Sequence, residues 1–324
     1  MSSLNPFLLS IGWSEFFQTS FENGQSDHRE IAFAPARVVS QGRDSYRVLV
    51  KPELILEAVV TGKLHKLAKD GAGFPAVGDW VAITLSEGNR KAEIHRVLQR
   101  KSLVQRKRVV NKHQNQIIAA NVDYLIIVTS LNEDFDLERL GRYIALGQES
   151  GVTPVLLLTK SDLCPHPQEY TAKIKSQFPD VKSFAISDRD TTSFDALQVF
   201  FSEGMASVLV GSSGVGKSTL CNFLIGVDAQ KTSEVSTESR GKHTTTARSL
   251  LVTRWGGLVI DTPGMQEVAV VGEVVAEGFP DIEDLILKCK FTNCRHGADP
   301  GCAVVRALKD GSLDLKRWQN YKDQ

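Results

Sequence analysis

Gly211-Ser212-Ser213-Gly214-Val215-Gly216-Lys217-Ser218-Thr219 and, well ahead of it, Thr159-Lys160-Ser161-Asp162 decide the fold between them. The first stretch follows the apolar run Ala206-Ser207-Val208-Leu209-Val210 and opens the helical pattern of residues 217–224. In that strand–loop–helix setting, glycines let backbone N–H groups converge on a phosphate, and the helix N-terminus adds positive potential. The second stretch ends the apolar run Pro154-Val155-Leu156-Leu157-Leu158. It therefore falls at the carboxyl end of a buried strand, where open α/β sheets bind ligands. The stretch is similar to the Asn-Lys-x-Asp base-reading motif, with Thr for Asn. In that role Asp162 would accept from the N1 and N2 donors of guanine, which adenine does not offer in that arrangement, while Lys160 would pack its stem along the base.

The order is the reverse of an ordinary P-loop GTPase, in which the phosphate loop comes first. The nucleotide domain therefore reads as circularly permuted. Within it Lys217 is expected to reach the outer phosphates, and the Ser218 hydroxyl to ligate Mg²⁺. Asp261-Thr262-Pro263-Gly264 follows the apolar run 257–260. Asp261 there suits the Mg²⁺ shell, and Gly264 suits sensing of the γ-phosphate. Gly241-Lys242-His243-Thr244-Thr245-Thr246 lies where a first switch loop belongs, after a polar stretch read as mobile. Any of its three threonines could complete Mg²⁺ coordination, and Thr245 is the leading candidate. Met265 stands where many small GTPases carry the water-orienting glutamine, with Gln266 one place late. Slow unaided hydrolysis is expected, and His243 is a candidate to position the water. Ser187, after the run 183–186, is a candidate for backbone contact with the base.

The remainder of the chain is organised around this domain. A length of 324 residues accommodates several domains, and the formal net charge of zero does not mark the whole chain as a nucleic-acid binder. No apolar run approaches a membrane span, and 7–9 is too short for a signal sequence, so a cytoplasmic protein is expected. Residues 1–34 read as a short helix or tail. Over 35–112, five short β-rich runs punctuated by glycine suit a small barrel, with an OB-fold leading and an SH3-like barrel reading almost the same way. Strand–helix alternation over 113–271 gives the doubly wound nucleotide domain.

Residues 272–324 read as short helices around Cys289, Cys294, His296 and Cys302. Four soft ligands in a short segment suit one tetrahedral, structural Zn²⁺ in a reducing compartment. Arg100-Lys101, Arg106-Lys107-Arg108 and Lys112 form a basic run leaving the barrel. Lys288, Lys290, Arg295, Arg306, Lys309, Lys316 and Arg317 bias the C-terminal module the same way, and both are candidates for phosphate-backbone contact.

From about residue 35 to the C-terminus the chain resembles the circularly permuted, small-ribosomal-subunit-dependent GTPases of the RsgA family. The resemblance rests on Val77-Gly78-Asp79-Trp80-Val81, Ala119-Ala120-Asn121-Val122-Asp123, the Thr159 loop (Thr where GTPases carry Asn), the phosphate loop, 241–246, 261–264 and the zinc pattern. It implies an α/β P-loop GTPase domain with an N-terminal OB-fold barrel and a C-terminal zinc-binding helical module. It also implies late maturation of the small (30S) ribosomal subunit, contact with its 16S rRNA, subunit-stimulated GTP hydrolysis with Mg²⁺, and other assembly factors among its partners. A monomer without a membrane partner is expected. An ATPase or GTPase acting on another RNA, and a nucleotide-regulated RNA-binding scaffold, are the alternatives.

Overall fold

The computed structural model describes residues 5–24, 32–42, 45–68, 73–86, 88, 91–107, 115–132, 135–212, 214–226, 248–261 and 301–313, together with 282, 285–286, 288–289, 294, 296 and 318. The chain divides into two compact units, Met1–Gly272 and Glu273–Gln324.

The first unit begins with two short helices, α1 (Pro6–Ser10), capped by the Asn5 side chain, and α2 (Glu15–Asn23). Five strands follow: β1 (Ala34–Gln41), β2 (Tyr46–Lys51), β3 (Leu54–Val60), β4 (Trp80–Leu85) and β5 (Lys91–Val97), with α3 (Gly62–Leu67) between β3 and β4. They pair in the order β1-β2-β3-β5-β4, and β4 returns to β1. All neighbours are antiparallel except β3 with β5. This closed ladder is the OB arrangement, not an SH3-like one. Alternation builds it: Ala36, Val38, Val48, Val81, Ile83 and Ile94 fill the interior. The opposite faces of β1 and β4, with Val39, Trp80 and Ala82, join a second core outside the barrel.

A hairpin, β6 (Leu103–Lys107) and β7 (Asn115–Ala120), links the barrel to the nucleotide domain. That domain contains β8 (Tyr124–Ser130), α4 (Leu137–Glu149), β9 (Thr153–Thr159), α5 (Pro167–Gln177), β10 (Lys182–Ala185), a 3₁₀ helix (Thr191–Phe200), β11 (Ala206–Val210), α6 (Lys217–Ile225), β12 (Ser249–Val252) and β13 (Leu258–Asp261). The strand order is β10-β9-β8-β11-β13-β12, parallel throughout except β12. Its central strands are apolar on both faces, as burial between two helical layers demands. Leu125 and Ile127 of β8 share a core with α4, whereas Ile126 and Val128 share one with the 3₁₀ helix and α6. The chain runs outward from β8 to β10 and then returns to β11 on the other side of β8. The β8–β11 border is thus the point where connections diverge and a crevice opens at the strands' carboxyl ends.

The two motifs 77–81 and 119–123 meet where the barrel joins this domain. Gly78 has φ +94, and a Cβ there would collide with the carbonyl oxygen of Ala120. Asn121, itself in the left-handed region at φ 53, donates from Nδ2 to the Gly78 carbonyl at 3.3 Å. Asp79 is fully buried and accepts from Arg100 through both oxygens, at 2.9 and 2.7 Å, and from the Ala76 N–H at 2.8 Å. Arg37 is equally buried; its guanidinium donates to the carbonyls of Asn121, at 2.9 Å, and Ile11. Burial pushes the Arg37 pKa down to about 10 against the charges of Asp123 and Asp79, and pushes Asp79 up against the hydrogen bonds and charge of Arg100. Both shifts register a desolvation cost, so this cluster fixes how the parts dock more than it adds net stability. One further tie is the pairing of Ser40 in β1 with Ser249 in β12.

Within residues 1–34, expected as a short helix or tail, the described residues 5–24 contribute to the core. Trp13, Phe17 and Phe21 are buried, and Trp13 meets the edge of Trp80 with ring centroids 4.7 Å apart. Arg96 of the barrel donates to the carbonyls of Ser20 and Phe21, and Gly204 of the nucleotide domain donates to that of Ser10. In the basic run, the Arg100 guanidinium is engaged with the buried Asp79, and Lys101 lies 2.9 Å from Asp123 in an exposed pair.

The second unit has a small core of Ile282, Cys302, Val304, Ala307, Leu313 and Trp318 around α7 (Ala303–Asp310). Among the described residues, no helix is long and apolar enough to cross a membrane.

Candidate functional site

The phosphate loop follows β11 and runs into α6, which begins at Lys217 after Gly216. Gly211 has φ +143, and a Cβ there would collide with the Val128 carbonyl oxygen. Only glycine lets the loop leave β11 this close to β8. Lys217 curls back over the loop and donates from Nζ to the carbonyls of Gly211, at 2.7 Å, and Ser212, at 2.5 Å. Burial lowers its pKa, while the charge of Asp261, at the end of the neighbouring β13, opposes that shift. Ser218 and Thr219 are exposed in the first turn of α6. Hydroxyl and carboxylate oxygens of Ser218 and Asp261 are hard donors of the kind Mg²⁺ takes beside phosphates, so these residues fit the ion.

The expected guanine loop lies at the end of β9, and side chains join it to the phosphate loop. Thr159 is buried and donates from Oγ1 to the carbonyls of Val215, at 2.7 Å, and Thr129, at 3.2 Å. Threonine in place of asparagine therefore still ties the two loops together. Lys160, at φ 58, donates from Nζ to the Gly214 carbonyl at 3.0 Å. Its stem thus spans from one loop to the other. The Ser161 N–H bonds the Ile186 carbonyl at 3.3 Å. Ser187, expected to contact the base through its backbone, also braces this loop with its hydroxyl: Oγ donates to Asp162 Oδ1 at 2.7 Å.

Of the expected nucleotide-site residues, Thr159, Lys160, Ser161, Asp162, Ser187, Gly211, Ser212, Gly214, Val215, Gly216, Lys217, Ser218, Thr219 and Asp261 converge at the carboxyl edge of this sheet. Ser213, His243, Thr245 and Gly264 lie outside the described residues. Two contributors escaped the sequence reading. Ser193 accepts from the Ser187 N–H at 3.2 Å, and Arg189 Nε lies 3.3 Å from Asp162 Oδ2. Proximity to Ser187 was their only signal.

In the second unit the ligand atoms of Cys289, Cys294, His296 and Cys302 lie within 4.8 Å of one another. The Cys289 and Cys302 sulfurs are 3.8 Å apart, and each is 3.6 Å from His296 Nδ1. Ligands at the usual zinc distances give tetrahedral edges of about 3.8 Å for S···S and about 3.5 Å for S···N. The donor set therefore fits one Zn²⁺ with all positions filled. At Cys289 burial raises the thiol pKa, but the N–H groups of Ala303 and Val304 and the neighbouring thiols outweigh it, and the net shift is downward. Cys302 also caps α7, its sulfur accepting from the Val305 N–H at 3.5 Å. The metal would thus organise the start of α7, which this small core packs around. Chelation, or Cys302→Ser, is expected to release one zinc per chain and make 273–324 the first segment cut in limited proteolysis of the full chain. A metal-indicator dye and mass mapping of the fragments check this.

A phosphate loop and a base loop tied together at the switch point of a permuted α/β sheet, beside an OB barrel, define a circularly permuted P-loop GTPase. Comparison with known proteins narrows the class. The family described as RsgA GTPase matches residues 97–271. A small ribosomal subunit biogenesis GTPase RsgA 2 of Vibrio parahaemolyticus is 38% identical over 99% of this chain and 86% of its own length. An RsgA of Opitutus terrae is 38% identical over 97% and 88%. The crystal structure of YloQ, a circularly permuted GTPase, superposes with TM-score 0.53 at 23% identity, covering 91% of this chain and 95% of YloQ. YjeQ from Thermotoga maritima gives 0.54 at 22%, covering 90% and 97%. The chain belongs to the RsgA GTPase family.

Proposed function

We propose that this GTPase acts in maturation of the small ribosomal subunit, where rRNA contact by the barrel and the zinc module accelerates turnover. The observation that carries the nucleotide half of this reading is the bond from Thr159 Oγ1 to Val215 O. It holds a base-reading carboxylate and a phosphate cradle in one fixed relation. The subunit half is supported by the printed function of relatives that match nearly the whole chain.

The roles follow from position. The amides of 211–217 and Lys217 hold the phosphates. Ser218 and Asp261 would hold Mg²⁺, which supplies neutralisation of phosphate charge when bound. Asp162, oriented by Ser187, reads guanine, and Lys160 lines the base. Thr245, Gly264 and His243 are proposed for Mg²⁺ coordination, γ-phosphate sensing and the attacking water. The division of labour is an OB-fold RNA-binding segment at 35–112, the nucleotide domain at 113–271 and the zinc module at 272–324. A cytoplasmic monomer with the 30S subunit, its 16S rRNA and further assembly factors as partners completes the reading.

Steady-state hydrolysis of GTP and ATP, with and without small subunits, tests it. Stimulation confined to GTP and to the small subunit is the expected result; tight GTP binding without stimulation sinks the subunit half. Base reading has its own test. Asp162→Asn loses two charge-assisted hydrogen bonds to guanine and is expected to weaken GTP binding by on the order of 10²-fold. XTP should bind the variant better, because the new amide can donate to the 2-oxo group. Isothermal titration with both nucleotides decides.

A further inference from the structure

The site holds one charged group that nucleotide binding does not account for. Asp162 has two carboxylate oxygens, and both are engaged within the protein. Oδ1 accepts from Ser187 Oγ at 2.7 Å, and Oδ2 lies 3.3 Å from Arg189 Nε. The two partners differ in kind. Ser187 is buried. Its hydroxyl also accepts the Arg189 N–H at 3.1 Å, so it is a fixed brace. The Arg189 side chain is 76% exposed, against 20% for Asp162, so this partner of the carboxylate is the one in contact with solvent.

The turn that carries Arg189 is itself stiff. Ser187 and Asp190 form a β-bridge. Asp190 Oδ1 accepts from the Thr192 N–H at 3.2 Å and its Oγ1 at 2.6 Å, and Ser193 Oγ donates to the Asp190 carbonyl at 2.6 Å. Arg189 is thus held beside Asp162 by its backbone, while its guanidinium can swing.

We infer that Arg189 is an internal competitor for guanine: its guanidinium occupies the Asp162 oxygen that the base must claim, and base entry displaces it. The inference rests on the reading of Asp162 as the guanine acceptor. Guanine's N1–H and N2–H present two donors in a plane, and a guanidinium presents the same pattern, which is why one can stand in for the other on a carboxylate. Arg189 therefore weakens nucleotide binding and eases its release. The size of the effect is that of a largely exposed ion pair, about two- to fivefold in affinity.

A double-mutant cycle on the full chain tests this, with GDP and ADP affinities measured for wild type, R189A, D162N and the double variant. R189A is expected to tighten GDP about two- to fivefold, and to do so less at high salt, where an exposed pair is screened. In the D162N background the same substitution reports only the general effect of removing a positive charge, and the tightening should vanish. R189K, which keeps the charge, should stay closer to wild type. If R189A leaves GDP binding unchanged or weakens it while D162N still loses guanine preference, the competitor role is overturned and the guanine reading stands. If D162N keeps its preference for GDP over ADP, the guanine reading falls and the competitor role falls with it.

Discussion

Alanine at Lys217 is expected to abolish detectable GTP turnover, lowering kcat by on the order of 10²–10³-fold and weakening nucleotide binding as well. Two losses combine in this variant. Lys217 is the only lysine or arginine in the loop sequence 211–219, so charge developing on the transferred group would lose its ammonium partner. The same ammonium ties the carbonyls of Gly211 and Ser212, so the loop also loses an internal brace. Lys217→Arg separates the two: it keeps the charge but not the compact geometry that fits between those carbonyls. The rRNA binding proposed for the barrel should survive both substitutions. Single-turnover hydrolysis beside an RNA-binding measurement checks the split. A Lys217→Ala protein that still hydrolyses GTP within tenfold of wild type would mean that the phosphates are held elsewhere.

A second large effect is expected far from the nucleotide. Asp79→Ala should destabilise the first unit by about 3–5 kcal/mol, because it leaves the mostly buried Arg100 without its ion-pair partner and removes one of the two charges, with Asp123, that offset the burial of Arg37. It also strips the Ala76 N–H of its acceptor. Asp79→Asn keeps an acceptor but removes the charge, and should fall between the two. Denaturant unfolding followed by tryptophan emission suits this site, since Trp80 is the next residue and packs on Trp13. Limited proteolysis gives an independent view: the linker between barrel and hairpin, 98–102, should become cleavable in Asp79→Ala and stay protected in wild type. Equal stability of the two proteins would show that the buried carboxylate does not hold the parts in register.

Much of this architecture was legible in sequence where burial imposes a period. The barrel strands alternate, and β8, β9 and β11 are unbroken apolar runs, so their placement follows from which faces are covered. Elements whose residues serve two ends were harder to read. In β6, Gln105, Arg106 and Lys107 look like part of a charge run, and nothing local says that Leu103 and Val104 start a strand. Trp13, Phe17 and Phe21 carry a helical spacing of four, but turn-like residues 23–27 beside them mask it as a tail. Arg37 could not have been placed, because a buried arginine is explained only by carbonyls of Ile11 and Asn121 brought from distant segments. At the nucleotide site the loops announce themselves, but their mutual tie does not. A lone threonine hydroxyl at position 159 becomes meaningful only once the Val215 carbonyl is seen beside it.

The latch at Gly78, Asp79, Arg100 and Asn121 also governs which pieces of this chain can be exchanged. Its members are spread over the barrel, the linker and the entry to β8, so a chimera joined anywhere between residues 80 and 120 would take some from one parent and some from the other. Steric fit of residue 78 against the Ala120 carbonyl leaves little tolerance for a mismatched backbone. Successful recombinants with relatives should therefore carry 77–121 as one inherited block, and the barrel should not behave as a free cassette.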